Sequence, residues 1–187
     1  MSNSNSNITV REAILIAGIT LLREYGITSL TQPKVAEAAG VKQSHLTYYF
    51  PKRVDLLLGV AEYAIDNILN DLEMGLVKNA TPEAFVDTIS SAMVNGVPPR
   101  VMLGLIVAAD ADVEIRPALQ KLIRRVRDHI QLILAKAGMP ADDTTTLIFH
   151  AVVVGLAVMH DAQRTEQSAQ EVKTGIEAIA RLIGAKT

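Results

Sequence analysis

Residues 39–50 read AGVKQSHLTYYF. Seven polar or aromatic side chains (Lys42, Gln43, Ser44, His45, Thr47, Tyr48 and Tyr49) crowd around two large apolar ones, Leu46 and Phe50. A spacing of four puts Leu46 and Phe50 on the same side of a helix. With that side turned inward, Ser44, His45, Thr47 and Tyr48 fall outside, while Lys42 and Gln43 sit at the exposed first turn. Gln43, Ser44 and His45 match the donors and acceptors on base edges in a DNA major groove, and Thr47 adds a hydroxyl and a methyl suited to thymine. Tyr48, Tyr49 and Lys52 suit phosphate oxygens, which position a helix without reading sequence.

Other chemistries have less support. There is no cysteine, which excludes disulfides, thiolate catalysis and a Cys-based zinc site. The histidines are His45, His129, His150 and His160, and no HExxH, Gly-Lys-Ser/Thr phosphate loop or Gly-x-Ser-x-Gly elbow accompanies them. The one catalytic or metal alternative joins His150 and His160-Asp161, ten residues apart on one helix, with Asp110 or Asp112. The basic run KLIRRVRDHI (121–130) keeps an apolar stripe and contains Asp128, so it reads as a solvated helix face. No cofactor is expected.

The elements that must hold the polar segment are helical. No stretch shows sustained period-two alternation, so the expected fold class is all-α with about nine helices. Thr9 and Glu12 have capping-box spacing, and a first helix runs from about 9 to Gly26. A short second helix covers about 32–39, with Thr31 as its cap and Pro33 in its first turn. Gly40 permits a sharp turn, a third helix covers 43–49, and Pro51 stops it. This pair has the form of a helix-turn-helix. Further helices are expected at about 52–77, from Thr81-Pro82 to a break at Gly96, at 100–109, from Pro117 to Gly138, at 142–163, and from a Ser168–Glu171 box to about 183.

With 49% hydrophobic and 20% charged residues among 187, a substantial core is available. The net charge of −2 is uneven: residues 1–53 carry +3 and residues 54–187 carry −5. A basic end on an acidic chain points that end toward a polyanion. The opening MSNSNSN reads as a disordered tail (1–8) without secretory character. TLIFHAVVVGLAVM (146–159) is too short for a membrane span, so a cytoplasmic protein is expected.

Residues 11 to 60 resemble the N-terminal domain of the TetR family of transcriptional regulators. The resemblance is carried by Tyr25-Gly26 closing the first helix, Leu30-Thr31 before the second and VAEAAGV (35–41) into the turn. Leu46 and Phe50 in the third helix, and Lys52 with the leucines opening the fourth, complete it. Two positions depart from the family pattern: Lys42 stands where a capping residue is usual, and Thr47 where a tyrosine follows the leucine. The resemblance implies a helix-turn-helix domain (9–53) and a helical ligand-binding and dimerisation domain (54–187). It implies a repressor that binds double-stranded DNA at a palindromic operator and is released by a small molecule. The residues assigned to DNA are Thr31, Lys42, Gln43, Ser44, His45, Thr47, Tyr48, Tyr49 and Lys52.

A homodimer through the eighth and ninth helices is expected independently. The eighth is apolar nearly all round, so it needs neighbours on two sides, and Ala151 and Gly155 permit close approach. A two-fold dimer also doubles the contacts of one short reading helix. The family's ligand pocket implies an apolar or amphipathic small molecule among helices four to eight. Its candidate lining is Tyr63, Asn67, Phe85, Met93, Met102, Leu105, Val126, His129, Phe149 and His150.

Overall fold

The computed structural model describes residues 8–78, 81–95 and 98–184. Among these are nine helices and no strand: α1 Val10–Tyr25, α2 Gln32–Ala38, α3 Gln43–Tyr49, α4 Arg53–Lys78, α5 Pro82–Asn95, α6 Pro98–Ala111, α7 Arg116–Lys136, α8 Asp143–Gln163 and α9 Glu166–Gly184. The tail expected over 1–8 lies almost wholly outside the described residues, as does the helix break at Gly96.

Local chemistry accounts for most boundaries. The Thr9 hydroxyl accepts from the Glu12 N–H at 3.2 Å and starts α1. The Asp142 carboxylate accepts from the Thr144 and Thr145 N–H groups, both at 3.0 Å, and starts α8. The Thr145 hydroxyl, which also donates to this carboxylate, and then those backbone bonds hold Asp142 below the usual carboxylate range. Two expectations are corrected. The Thr31 side chain makes no capping bond to α2. The start of α9 is boxed by Thr165 and Ser168 rather than by Ser168 and Glu171: the Ser168 N–H donates to Thr165 Oγ1 at 3.0 Å, and the Thr165 N–H to Ser168 Oγ at 3.1 Å. Either residue pair has the right spacing, and the chain reversal after Arg164 (φ 50°) brings Thr165 to the helix end.

The buried apolar residues form one continuous cluster, and α4 packs on α1 as well as on α5, α6 and α7. The N-terminal part of the cluster includes Ile14, Leu15, Leu22, Leu30, Val35, Leu46, Phe50, Leu56 and Val60. Burial of each large side chain there contributes about 1.5–3 kcal/mol. Asp66 of α4 and Arg125 of α7 form an ion pair. The basic run 121–130 is therefore only partly a solvated face, since Lys121, Arg124 and Arg127 are exposed while Arg125 ties two helices.

Helix α8 packs on α9, α7, α5 and α6. By length and composition its 21 residues are apolar enough to cross a membrane, with a mean hydropathy of 1.5, which corrects the sequence-based reading of this run as too short. The helical segment extends beyond the apolar run at both ends. Only 22% of the apolar window is buried within the protomer, so the protomer's own core does not account for its composition. Leu147, Ile148 and Met159 lie exposed with Ala151 and Gly155 on the outer side.

Candidate nucleic-acid interface

The turn between α2 and α3 is set by backbone geometry at Gly40. The Gly40 N–H donates to Glu37 O and the Val41 N–H to Ala36 O, both at 3.0 Å. This is a Schellman closure, which places its pivotal residue in the left-handed region. Gly40 has φ 64°, a conformation that glycine adopts without steric cost.

Helix α3 leaves this turn with Leu46 fully buried and Phe50 4% exposed. Lys42, Gln43, Ser44, His45, Tyr48 and Tyr49 are exposed, and Tyr48 reaches 80%. Tyr48 and Tyr49 meet edge to face, with centroids 5.1 Å apart. Lys42 precedes α3 without a side-chain cap, as its ammonium has no acceptor to offer the first-turn amides. Thr47 is half-buried, and its hydroxyl donates to Gln43 O at 3.1 Å and Ser44 O at 3.2 Å. A donor spent inside the helix is not available to a base, which leaves Thr47 its methyl and its oxygen lone pairs.

Three residues outside the sequence-based set hold this helix. Gln32, at the start of α2, donates from Nε2 to Phe50 O at 2.6 Å and Pro51 O at 3.1 Å. It satisfies carbonyls at the end of α3 that lack intrahelical partners. Arg53 Nε donates to Leu30 O at 3.2 Å, which ties α4 to the segment before α2. The Arg11 guanidinium lies 5.6 Å from the centre of the Phe50 ring. Nothing in the helical periodicity marks Gln32 or Arg53, because both act across 18 or more residues of sequence. The Lys52 N–H donates to Asp55 Oδ2 at 2.8 Å, and its side chain is exposed.

A second feature lies in the C-terminal region. A cavity of roughly 100 Å³ is walled by α4, α5, α6, α7 and α8. Of the ten residues expected to line a pocket, it brings together Met93, Met102, Val126, Phe149 and His150. The other five stand elsewhere. The Tyr63 hydroxyl donates to Glu12 Oε1 of α1 at 3.2 Å, and burial together with that bond raises its pKa. Asn67 faces a separate surface cleft between α1, α4 and α5. Phe85 packs on Phe149 at 5.9 Å but borders a groove toward α9. Leu105 is wholly within the core, and His129 Nδ1 is bonded to Arg125 O at 2.9 Å. The cavity wall is supplied instead by residues such as Ile65, Ile68 and Ile130.

The histidine–aspartate alternative is not assembled. His160 Nδ1 meets Ser168 Oγ at 2.8 Å, Asp110 pairs with Arg116 at 3.3 Å, and His150 lies in the apolar cavity. Among the described residues no three His, Asp or Glu side chains converge as a metal site would need.

Residues 14–60 match the model described as bacterial regulatory proteins, tetR family, and residues 80–184 match that of a tetracyclin repressor-like C-terminal domain. The chain is 29% identical over 182 residues to the HTH-type transcriptional regulator CymR of Pseudomonas putida, with 90% of this chain and 87% of CymR covered. Similar solved structures include a transcriptional regulator from Rhodococcus sp. Rha1, with a TM-score of 0.71 and 18% identity; it covers 94% of this chain and 96% of its own. Another is the multidrug binding protein EbrR complexed with imidazole, with a TM-score of 0.68 and 20% identity over 96% and 97% of the two chains.

Proposed function

The chain belongs to the TetR family of bacterial regulatory proteins, and from that premise we propose that it is a ligand-released repressor that reads a palindromic operator as a homodimer. It is a DNA-binding transcriptional regulator. The carrying observation for the reading surface is the two-sidedness of α3: Leu46 and Phe50 are buried while Gln43, Ser44, His45 and Tyr48 project outward. In a major groove those four face base edges, with Thr47 contributing its methyl. Thr31, Lys42, Tyr49 and Lys52 border them and take phosphates. A DNA partner supports a cytoplasmic location.

The outer side of α8 supports dimerisation. Leu147, Ile148, Ala151, Gly155 and Met159 form an apolar stripe that the protomer leaves open, and a Cβ at Gly155 would meet nothing within 4 Å. A two-fold contact buries the same stripe from both copies. α9 lies beside α8 and completes a four-helix interface. Two such subunits present their α3 helices at half-sites about 34–36 Å apart.

Ligand release follows from how the cavity is walled. α4 lines it through Ile65, Ile68 and Leu69 and begins at the end of α3. α6 lines it through Pro99 and Met102, and two residues later Gly104 abuts Ile27, in the 3-10 turn (Ile27–Ser29) before α2. A ligand that favours a different placement of either helix shifts the spacing of the two reading helices. Its leverage equals its difference in affinity between the two states.

The test is selection of bound fragments from random duplexes, followed by sedimentation of the free protein and of its complex. A palindrome with a two-subunit complex is expected. Asymmetric or sequence-independent binding, or a protomer that stays monomeric on DNA, refutes the reading. Leu147→Glu with Ala151→Glu is expected to weaken self-association and DNA binding together.

A further inference from the structure

The turn at Gly40 closes the helix-turn-helix at one end of α3. Side chains close the other end, and they act in both directions. Gln32 Nε2 reaches forward to Phe50 O at 2.6 Å and Pro51 O at 3.1 Å. Arg53 Nε reaches back to Leu30 O at 3.2 Å. Residues 30–32 and 50–53 therefore each donate a side chain to the other's backbone. A carboxamide suits this place, because its N–H hydrogens can serve both carbonyls at once. Residues 30, 31 and 50–52 lie outside the helices, so no helical ladder fixes them. Leu30 and Phe50 anchor both segments in the core. Apolar contact is non-directional, whereas hydrogen bonds set one backbone against the other in a defined register.

What this clasp joins gives it a role beyond packing. Thr31 lies in the first segment, and Lys52 lies in the second with Tyr49 just before it. All three are assigned above to phosphates, and they come from the two sides of the clasp. We propose that Gln32 is a positioning residue for DNA recognition: with Arg53 it fixes the spacing of these phosphate-contacting groups and so raises the preference for operator over random DNA. This rests on the DNA-binding reading above. Random sequence is held by charge, which tolerates loose spacing. An operator complex needs α3 in one placement, and a slack corner loses affinity because binding must order it.

The test compares full-length wild type with Gln32→Met, which keeps the length of the side chain and removes its donors. The probes are the duplex that the wild type selects from random sequence and a scrambled duplex of the same length and composition. Gln32→Met is expected to bind the selected duplex about tenfold more weakly, the loss due to one or two net hydrogen bonds. Binding to the scrambled duplex stays within about twofold, and the log–log salt slope is unchanged because no charge leaves the interface. A purely structural role lowers the melting temperature without moving the ratio of the two affinities. Should Gln32→Met fail to fold, Gln32→Glu at neutral pH takes its place. It keeps size and polarity and lacks the donor, and its charge repels both duplexes alike, so the same fall in the ratio is expected. An unchanged ratio overturns the inference and leaves Gln32 a structural residue. A salt slope flattened by about one in Gln32→Met also overturns it, since Gln32 then acts on phosphate itself. A wild type that selects no sequence refutes the DNA-binding reading, and the inference with it.

Discussion

Gly104→Ala probes the contact between α6 and the 3-10 turn before α2. A Cβ on Gly104 would lie 2.5 Å from Cδ1 and 2.7 Å from Cγ1 of Ile27. Carbon atoms pack comfortably at about 3.5–4.0 Å, so roughly an ångström of separation must be found. Overpacking of this kind costs about 1–3 kcal/mol. Alanine in place of glycine within a helix returns about 1 kcal/mol. The single variant is therefore expected to lose only about 0–2 kcal/mol, a range too narrow to be decisive alone. The decisive quantity is the coupling. Ile27→Ala removes both clashing carbons, so Gly104→Ala in that background keeps the helix gain without the clash. A double-mutant cycle by urea unfolding at fixed protein concentration is expected to give about 1–3 kcal/mol of coupling. DNA affinity should fall in Gly104→Ala and recover in the double variant. Additivity within about 0.5 kcal/mol would refute the contact as a mechanical link.

Other outcomes follow from the same structure. Lys52→Ala is expected to weaken binding to every duplex and to flatten the log–log salt slope by about one, measured by titration at several salt concentrations. Gln43→Ala and His45→Ala should each cost about 1–3 kcal/mol and relax preference at one base position, read from selected-site profiles. His150 has its pKa lowered, first by burial and then by the Arg127 charge. Above about pH 6.5 the ring is neutral both folded and unfolded and contributes no pH dependence. Below that value the unfolded chain takes up the proton more readily, so stability falls as the pH drops from about 6.5 toward the folded-state pKa. His150→Phe should remove that portion of the pH dependence in thermal melts.

The helical class and the seven-residue extent of α3 were legible because they depend on short-range chemistry. A spacing of four between Leu46 and Phe50 fixes which side of α3 turns inward, whatever the rest of the chain does. Gly40 marks the turn because few other residues adopt its backbone conformation readily. The start of α9 was misplaced by three residues because Thr165–Ser168 and Ser168–Glu171 are equivalent as sequence, and the reversal at Arg164 selects between them.

Residue order alone did not tell which neighbour each inward-facing side chain meets. α4 has partners on several sides, so its periodicity names Tyr63 and Ile65 as inward without saying toward what. Packing turns Tyr63 to Glu12 of α1 and Ile65 to the cavity. Likewise the sequence marks His129 and His150 as histidines on apolar helices. Only the assembled fold gives the first a carbonyl one turn away and leaves the second facing an apolar cavity. Helix periods arise from backbone geometry within a few residues, whereas the contents of a cavity arise from crossing helices distant in sequence. The first kind of information is local to the chain; the second exists once the helices have packed.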